Sequence, residues 1–339
     1  MVQTASTRCR VEINGQRQLL VQTGKSLLAT LADHRVFLPT ACGGRGFCGQ
    51  CKVKVLSGGG EVTERETKRL GHALTEGFRL ACQVQVQENL AIEVPAEVLT
   101  KGQILAVCST IEELTHDVRR FRFDLADPPQ LDFVPGQYVQ FHCPSYPGSP
   151  EEITREYSIA SDPGQKNRVD LIIRRVRQGA CTTYCFDHLK VGDKVRLSGP
   201  FGDFCLSKTD APMIFIAGGS GMAPFVSILH QMVHTNGHRP ATFFFGGNLI
   251  SDLYLLEEIR RFEASLPAFR FVPVVGKPGE CPDWTGQTGL VTEAVERAYS
   301  SLAGFEGYLC GPPGMIEASV KVLTGLGMAQ EEIRYDKFA

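Results

Sequence analysis

Four cysteines in the first third of the chain, Cys42, Cys48, Cys51 and Cys82, are spaced C-x5-C-x2-C-x30-C. Gly43, Gly44, Gly46 and Gly49 run between the first three. No other feature restricts the fold as much, because thiols from one loop and one distant position must be drawn to a common point. Glycine lets such a loop take positive φ and aim backbone N–H groups at a negatively charged centre. Thiolates converging in this way suit a [2Fe-2S] cluster. Free cysteines packed as small hydrophobes are a poor match for three cysteines among so many glycines. Zinc is the nearer rival, since C-x2-C is also a zinc spacing. Zinc knuckles usually pair two such units, and here the fourth cysteine stands alone. A chain holding this cluster handles electrons singly, so the remaining residues should show where the electrons originate.

The 339 residues allow two or three domains with their own cores. A formal charge of −2 and the absence of basic clusters with interleaved aromatics exclude nucleic acid as a partner class. Twelve cysteines without a signal-peptide pattern, in a chain this long, imply a reducing cytoplasm rather than a disulfide scaffold. The longest apolar stretch, Met213 to Val233, is broken by Gly218, Gly219, Ser220, Gly221 and Pro224, so no transmembrane helix is expected.

Three regions follow from the hydrophobic periodicity. Residues 1–100 read as a compact α+β unit with an Asn14-Gly15 hairpin turn and a short helix capped by Ser26. A strand at Lys52–Val55, an alternating run at Val84 and Val86, and a closing strand at Leu90–Val94 complete it, with Pro95–Gly102 as a linker. Residues 103–208 carry closely spaced alternating segments, including Val118–Asp124, Tyr138–His142 and Val169–Arg174, which predict an antiparallel β-barrel. Residues 209–339 alternate buried-type strands (Met213–Ala217, Ala241–Phe245, Phe269–Val275) with helical patterns, predicting a doubly wound parallel sheet.

The second region contains Arg155-Glu156-Tyr157-Ser158, where an arginine beside an aromatic and a hydroxyl can hold a diphosphate and a flavin ring. Gly179, Thr182 and Thr183 can add backbone and hydroxyl donors at a helix start, and Gly199–Gly202 forms a tight turn. The third region offers Gly218-Gly-Ser-Gly221-Met-Ala-Pro224 between a strand and a helix. This resembles a dinucleotide loop with proline in place of the third glycine. Cys310-Gly-Pro-Pro-Gly-Met315 ends a later strand, the position where ligands bind in parallel sheets. His230, His234 and His238 recur every four residues but lack a metal-site pattern, and read as surface or capping residues.

The order of A-C-G-G-R-G-F-C-G-Q-C, R-E-Y-S, G-P-F-G-D, G-G-S-G-M-A-P and C-G-P-P-G-M resembles the ferredoxin–NADH reductase family. Its members join a β-grasp [2Fe-2S] domain to a flavin-binding barrel and a nicotinamide-binding domain. They include reductase components of multicomponent oxygenases. The C-x5-C spacing is most similar to the F subunit of the sodium-pumping NADH:quinone oxidoreductase, which begins with a membrane helix that is not seen here. The resemblance implies FAD at Arg155, Tyr157 and Ser158, with its diphosphate at Gly179, Thr182 and Thr183. It implies NADH over Gly219, Gly221 and Pro224, with Cys310 near the nicotinamide. It also implies that the penultimate Phe338 covers the flavin. Relatives using NADP carry serine and arginine after the second strand of the parallel sheet. Gly246–Asp252 has no arginine there, which favours NADH. The function implied is transfer from NADH through FAD to the cluster and on to a terminal oxygenase or similar acceptor, with Arg45 and Phe47 as docking contacts. A quinone-reducing module of a membrane complex and a carrier with an inactive reductase module are the alternatives.

Overall fold

In a computed structural model, which describes residues 8–337 except 41, 101 and 281, the chain forms three sheets, each with its own core. The first unit comprises β1 (Arg8–Ile13), β2 (Arg17–Gln22), α1 (Leu27–Asp33), β3 (Lys52–Ser57), α2 (Glu64–Leu70), β4 (Phe78–Leu80), β5 (Leu90–Glu93) and α3 (Ala96–Thr100). Its strands lie in the order β2-β1-β5-β3-β4, a mixed β-grasp sheet. The β1–β2 turn has positive φ at both Asn14 and Gly15, as the hairpin signal predicts. Ser26 caps α1 by accepting from the Ala29 amide.

Two expectations for this unit are corrected. Val84 and Val86 do not form a strand. Their amides donate to the Leu80 and Lys25 carbonyls, so the run pairs with the turn into α1 while its side chains enter the core. The Pro95–Gly102 segment is not a bare linker, because α3 buries Val98 in the same core.

The second sheet contains β6 (Gln103–Glu113), β7 (Val118–Asp127), β8 (Tyr138–Cys143), β9 (Ile153–Ser158), β10 (Arg168–Arg174) and β11 (Lys194–Phe201). α4 (Ala180–Thr183) is a short helix between β10 and β11. Every pairing is antiparallel in the order β10-β7-β6-β11-β8-β9. An Ile159–Leu171 bridge and the Ala160 amide donating to Asp170 at 2.8 Å join the outer strands, curling the sheet into a barrel.

The third sheet is wholly parallel. Its elements are β12 (Met213–Gly218), α5 (Met222–His234), β13 (Ala241–Gly247), α6 (Leu256–Ser265) and β14 (Phe269–Val275). They continue as β15 (Gln287–Thr288), α7 (Val291–Ala298), β16 (Glu306–Gly311), α8 (Pro313–Gly325) and β17 (Ile333–Lys337). The order β15-β14-β13-β12-β16-β17 reverses between β12 and β16, so the loops after those strands open at a topological switch point. Strand alternation feeds two cores: Phe243 and Phe245 pack on the α5–α6 side, and Phe244 on the α7–α8 side. His230 and His234 do have a carboxylate nearby. Asp162, which follows β9 in the barrel, lies 3.7 Å and 2.6 Å from their ring nitrogens, so the pair ties two units together.

Candidate electron-transfer centre

The cysteine loop leaves α1 and returns at β3, with Cys82 just beyond β4. Cys42, Cys51 and Cys82 are buried and Cys48 is partly exposed. The thiols meet in two pairs, Cys42 with Cys48 and Cys51 with Cys82. The Phe47 amide donates to Cys42 Sγ at 3.4 Å and Gln83 Nε2 donates to Cys82 Sγ at 3.5 Å. The Cys48 side chain, together with backbone N–H groups, lowers the Cys42 thiol to about 4. The hydrogen bond from Cys51 lowers Cys82 to about 7 and raises Cys51 itself. Among the described residues no three His, Cys, Asp or Glu side chains cluster around a single ion position. The N–H groups on the sulfurs suit an anionic centre.

The Arg155–Ser158 motif occupies β9, where the pleat divides it. Tyr157 turns its hydroxyl inward, 3.4 Å from Cys181 Sγ. Arg155 Nη1 donates to the Thr154 carbonyl at 2.8 Å. Ser158, paired with Tyr138 across β8 and β9, is buried and its Oγ has no hydrogen-bond partner. A buried, unsatisfied hydroxyl costs about 1–3 kcal/mol, so this oxygen fits a ligand that hydrogen-bonds to it. Gly179 caps α4, as the sequence predicts. The Thr182 hydroxyl departs from expectation. It accepts from the Val176 amide at 3.2 Å and lies 3.0 Å from the Gly179 carbonyl, so it is spent on its own loop.

Gly219 and Gly221 form a single 3₁₀ turn between β12 and α5, and Pro224 lies in the first turn of α5. No side chain caps this helix, although the Met222 amide donates to the Ser220 carbonyl and Pro224 carries no N–H, so a diphosphate here would rely on the helix end more than on those two positions. A Cβ on Gly221 would overlap the Cys310 carbonyl, so the loop sits directly on the end of β16. Cys310 is fully buried there, and burial pushes its thiol well up. Phe338 lies outside the described residues.

Comparison with known proteins agrees with this geometry. Residues 11–87 match the 2Fe-2S iron-sulfur cluster binding domain, 106–205 the oxidoreductase FAD-binding domain, and 215–321 the oxidoreductase NAD-binding domain. The chain is 32% identical to the F subunit of the Na(+)-translocating NADH-quinone reductase of Methylococcus capsulatus, over 98% of this chain and 92% of that one. It is 33% identical to the corresponding protein of Neisseria meningitidis, over 97% and 91%. The chain belongs to the ferredoxin–NADH reductase family. Among solved structures, an Amycolatopsis cytochrome P450 reductase superposes on this reductase with a TM-score of 0.76 at 31% identity, covering 97% of this chain and 98% of that one. The ferredoxin reductase in carbazole 1,9a-dioxygenase gives 0.74 at 25% identity, covering 99% of both. The reductase is thus an NADH-dependent oxidoreductase that uses FAD and a [2Fe-2S] cluster. No described helix is long and apolar enough to cross a membrane.

A seam joins the cluster unit of this reductase to the flavin strand pair, and sequence reading missed it. Gln140 Nε2 donates to the Leu38 carbonyl at 2.8 Å, and the Tyr138 hydroxyl donates to Gln50 Oε1 at 3.1 Å. Phe37, Tyr138 and Phe201 form a small apolar cluster across it. A Cβ on Gly43 would collide with the Arg155 guanidinium, so the cluster loop touches the flavin motif directly. Glu156 lies in the same seam. Burial and the nearby Cys42 push its carboxyl up to about 8. A cleft of about 1380 Å³ opens beside the seam, between the cluster loop at Cys48–Gln50, Tyr138, the turn at 201–204, and Tyr335 and Asp336 of β17. None of Arg155, Tyr157 or Ser158 lines it. Asp336 is raised to about 6 by burial and escaped the sequence reading, since nothing local distinguishes it.

Proposed function

We propose that this reductase takes electrons from NADH and delivers them, through FAD and the cluster, to a separate terminal oxygenase or similar acceptor protein in the cytoplasm. The proposed domains are 1–100 for the cluster, 103–208 for FAD and 209–339 for NADH. Cys42, Cys48, Cys51 and Cys82 hold the cluster. Arg155, Tyr157, Ser158, Gly179 and Thr183 hold FAD, with Thr182 shaping their loop. Gly219, Gly221 and Pro224 receive the dinucleotide, and buried Cys310 walls the nicotinamide pocket rather than attacking anything. Phe338 is the proposed cover for the flavin. When bound, FAD accepts a two-electron hydride and the cluster accepts electrons one at a time. The protein's own contribution is positioning.

The observation that carries the reading is the contact of Gly43 with Arg155, which sets the cluster loop against the flavin motif. The two full-length structural likenesses, whose names place them in P450 and dioxygenase systems, favour an oxygenase acceptor. The sequence relatives named as subunits of a quinone reductase favour a second reading, an electron-input module of a membrane complex. Anaerobic addition of NADH should bleach first the flavin and then the cluster; a flavin that stays oxidised would sink the proposal. Recovery of the native protein with a hydroxylase, as opposed to a membrane fraction, decides between the two acceptors.

A further inference from the structure

The rim of the cluster loop around Phe47, which is not among the residues lining the cleft beside the barrel, has an unusual construction. Phe47 lies between two of the cluster cysteines and is 49% exposed. Its ring carries the Arg65 guanidinium at 5.0 Å. Arg65 Nη1 donates to the Arg45 carbonyl at 3.0 Å, and Arg45 Nε donates to the Cys42 carbonyl at 2.9 Å. Both guanidinium groups are therefore fixed by neutral backbone oxygens. Among the described residues, no carboxylate lies within ion-pair distance of either, whereas Arg79, Arg119, Arg122, Arg174 and Arg239 all have such a partner. Neither is matched by a carboxylate, and both stand beside an exposed aromatic ring. The same sign prevails over the whole unit: residues 1–100 carry twelve Lys and Arg against nine Asp and Glu, and the rest of the chain twenty-three against twenty-eight.

We propose that the electron acceptor presents an acidic surface with an apolar recess to this rim, Phe47 filling the recess and Arg45 and Arg65 pairing with its carboxylates. The inference rests on the proposed function, in that the cluster is taken as the exit. The geometry supports this face over the other one. The Gly43 side of the loop is covered by Arg155 and the Cys48–Gln50 side lines the cleft beside the barrel, while Phe47 is half exposed outside both. Guanidinium forks held in advance lose little freedom on meeting a carboxylate, and an aromatic anchor ringed by charge is a usual hot-spot arrangement. Like charges on a partner would be repelled before contact. Arg65 is supplied by α2, about twenty residues beyond the loop, and so was not visible in the motif itself.

The test uses the holoenzyme, reduced stoichiometrically with dithionite so that the result does not depend on the NADH route. It is then mixed with cytochrome b5 as an acidic haem probe or with cytochrome c as a basic one. Reoxidation by cytochrome b5 should slow roughly tenfold as ionic strength rises from about 0.01 to 0.15 M, and reoxidation by cytochrome c should not slow. Arg65→Glu should slow the acidic probe about tenfold and speed the basic one, with cluster absorbance unchanged. Phe47→Ala should slow the acidic probe while leaving its salt slope intact. Arg65→Ala, expected to give half the effect of the charge reversal, covers the case in which the glutamate variant misfolds. Rates indifferent to salt, or a salt slope seen only with the basic probe, would overturn the proposal. NADH bleaching is measured separately, and its failure would count against the proposed function alone.

Discussion

Two glycine-rich loops mark the ends of this reductase, and Gly43 in one and Gly221 in the other answer different demands. In the cluster loop, Gly43 has φ +60°, a left-handed conformation that lets the chain fold back around four thiols. In the dinucleotide loop, Gly221 has φ −60°, open to any residue, but a side chain there would strike the Cys310 carbonyl. Gly43 is demanded by its torsion angle and Gly221 by space alone, and Gly219 beside it, at φ +57°, repeats the torsional demand within the second loop. The first presents side chains to its cofactor and the second presents backbone amides. Spacing of side chains is written in a sequence, and availability of backbone is not. That is why the cysteine motif constrained the fold by itself, while the glycine motif needed its neighbouring strand and helix.

The comparison can be broken from either end. The largest effect is expected from Cys51→Ser, which should abolish the cluster's absorbance while NADH still bleaches the flavin. Retention of the cluster would show that the loop is not organised around these thiols. Gly221→Ala should leave the cluster spectrum untouched and raise the KM for NADH by about ten- to a hundredfold, the scale of about 1–3 kcal/mol for overpacking. A wild-type KM would mean that the loop can retreat from β16.

Gly43→Ala should act more weakly, because what it strikes is the end of the flexible Arg155 side chain, which can give way at the cost of its bond to the Thr154 carbonyl. Left-handed strain of about 1–2 kcal/mol remains. Stopped-flow traces should show normal flavin reduction, with cluster reduction slowed about three- to tenfold. Equal slowing of both phases would erase the distinction between the loops. The smallest effect concerns Asp252, whose carboxylate accepts from the Asn248 and Leu249 amides at 3.0 Å. Asp252→Ser removes a negative charge from the segment after β13, which the family resemblance associates with a 2′-phosphate, and should narrow the preference for NADH over NADPH by up to about tenfold, or 1.4 kcal/mol. An unchanged ratio would place the discrimination elsewhere.

Much of the architecture was legible because it is periodic. Alternation marked the barrel strands, and unbroken apolar runs such as Met213–Ala217 marked the parallel sheet. Helix α2 was legible too and passed over: Thr63 and Glu66 form a capping box, a signal present in the sequence itself. Other features were out of reach. Tyr138 and Gln50 are 88 residues apart and Gln140 and Leu38 are 102 apart, so no local pattern announces their pairing. The Thr182 hydroxyl looked available to a ligand because its loop partners depend on backbone geometry that composition does not encode.

Among the described residues, the seam between the cluster unit and the barrel includes two hydrogen bonds from the barrel, the aromatic cluster of Phe37, Tyr138 and Phe201, and the contact of Gly43 with Arg155. Exposing the Gly43 side would require the first hundred residues to swing clear of the barrel, an opening that the seam makes rare. A customer that draws current from the rim around Phe47 need not wait for that rare opening. One that had to reach the Gly43 side would be throttled by it. Turnover should therefore track the traffic at the rim, and loosening the seam would waste charge without hastening delivery.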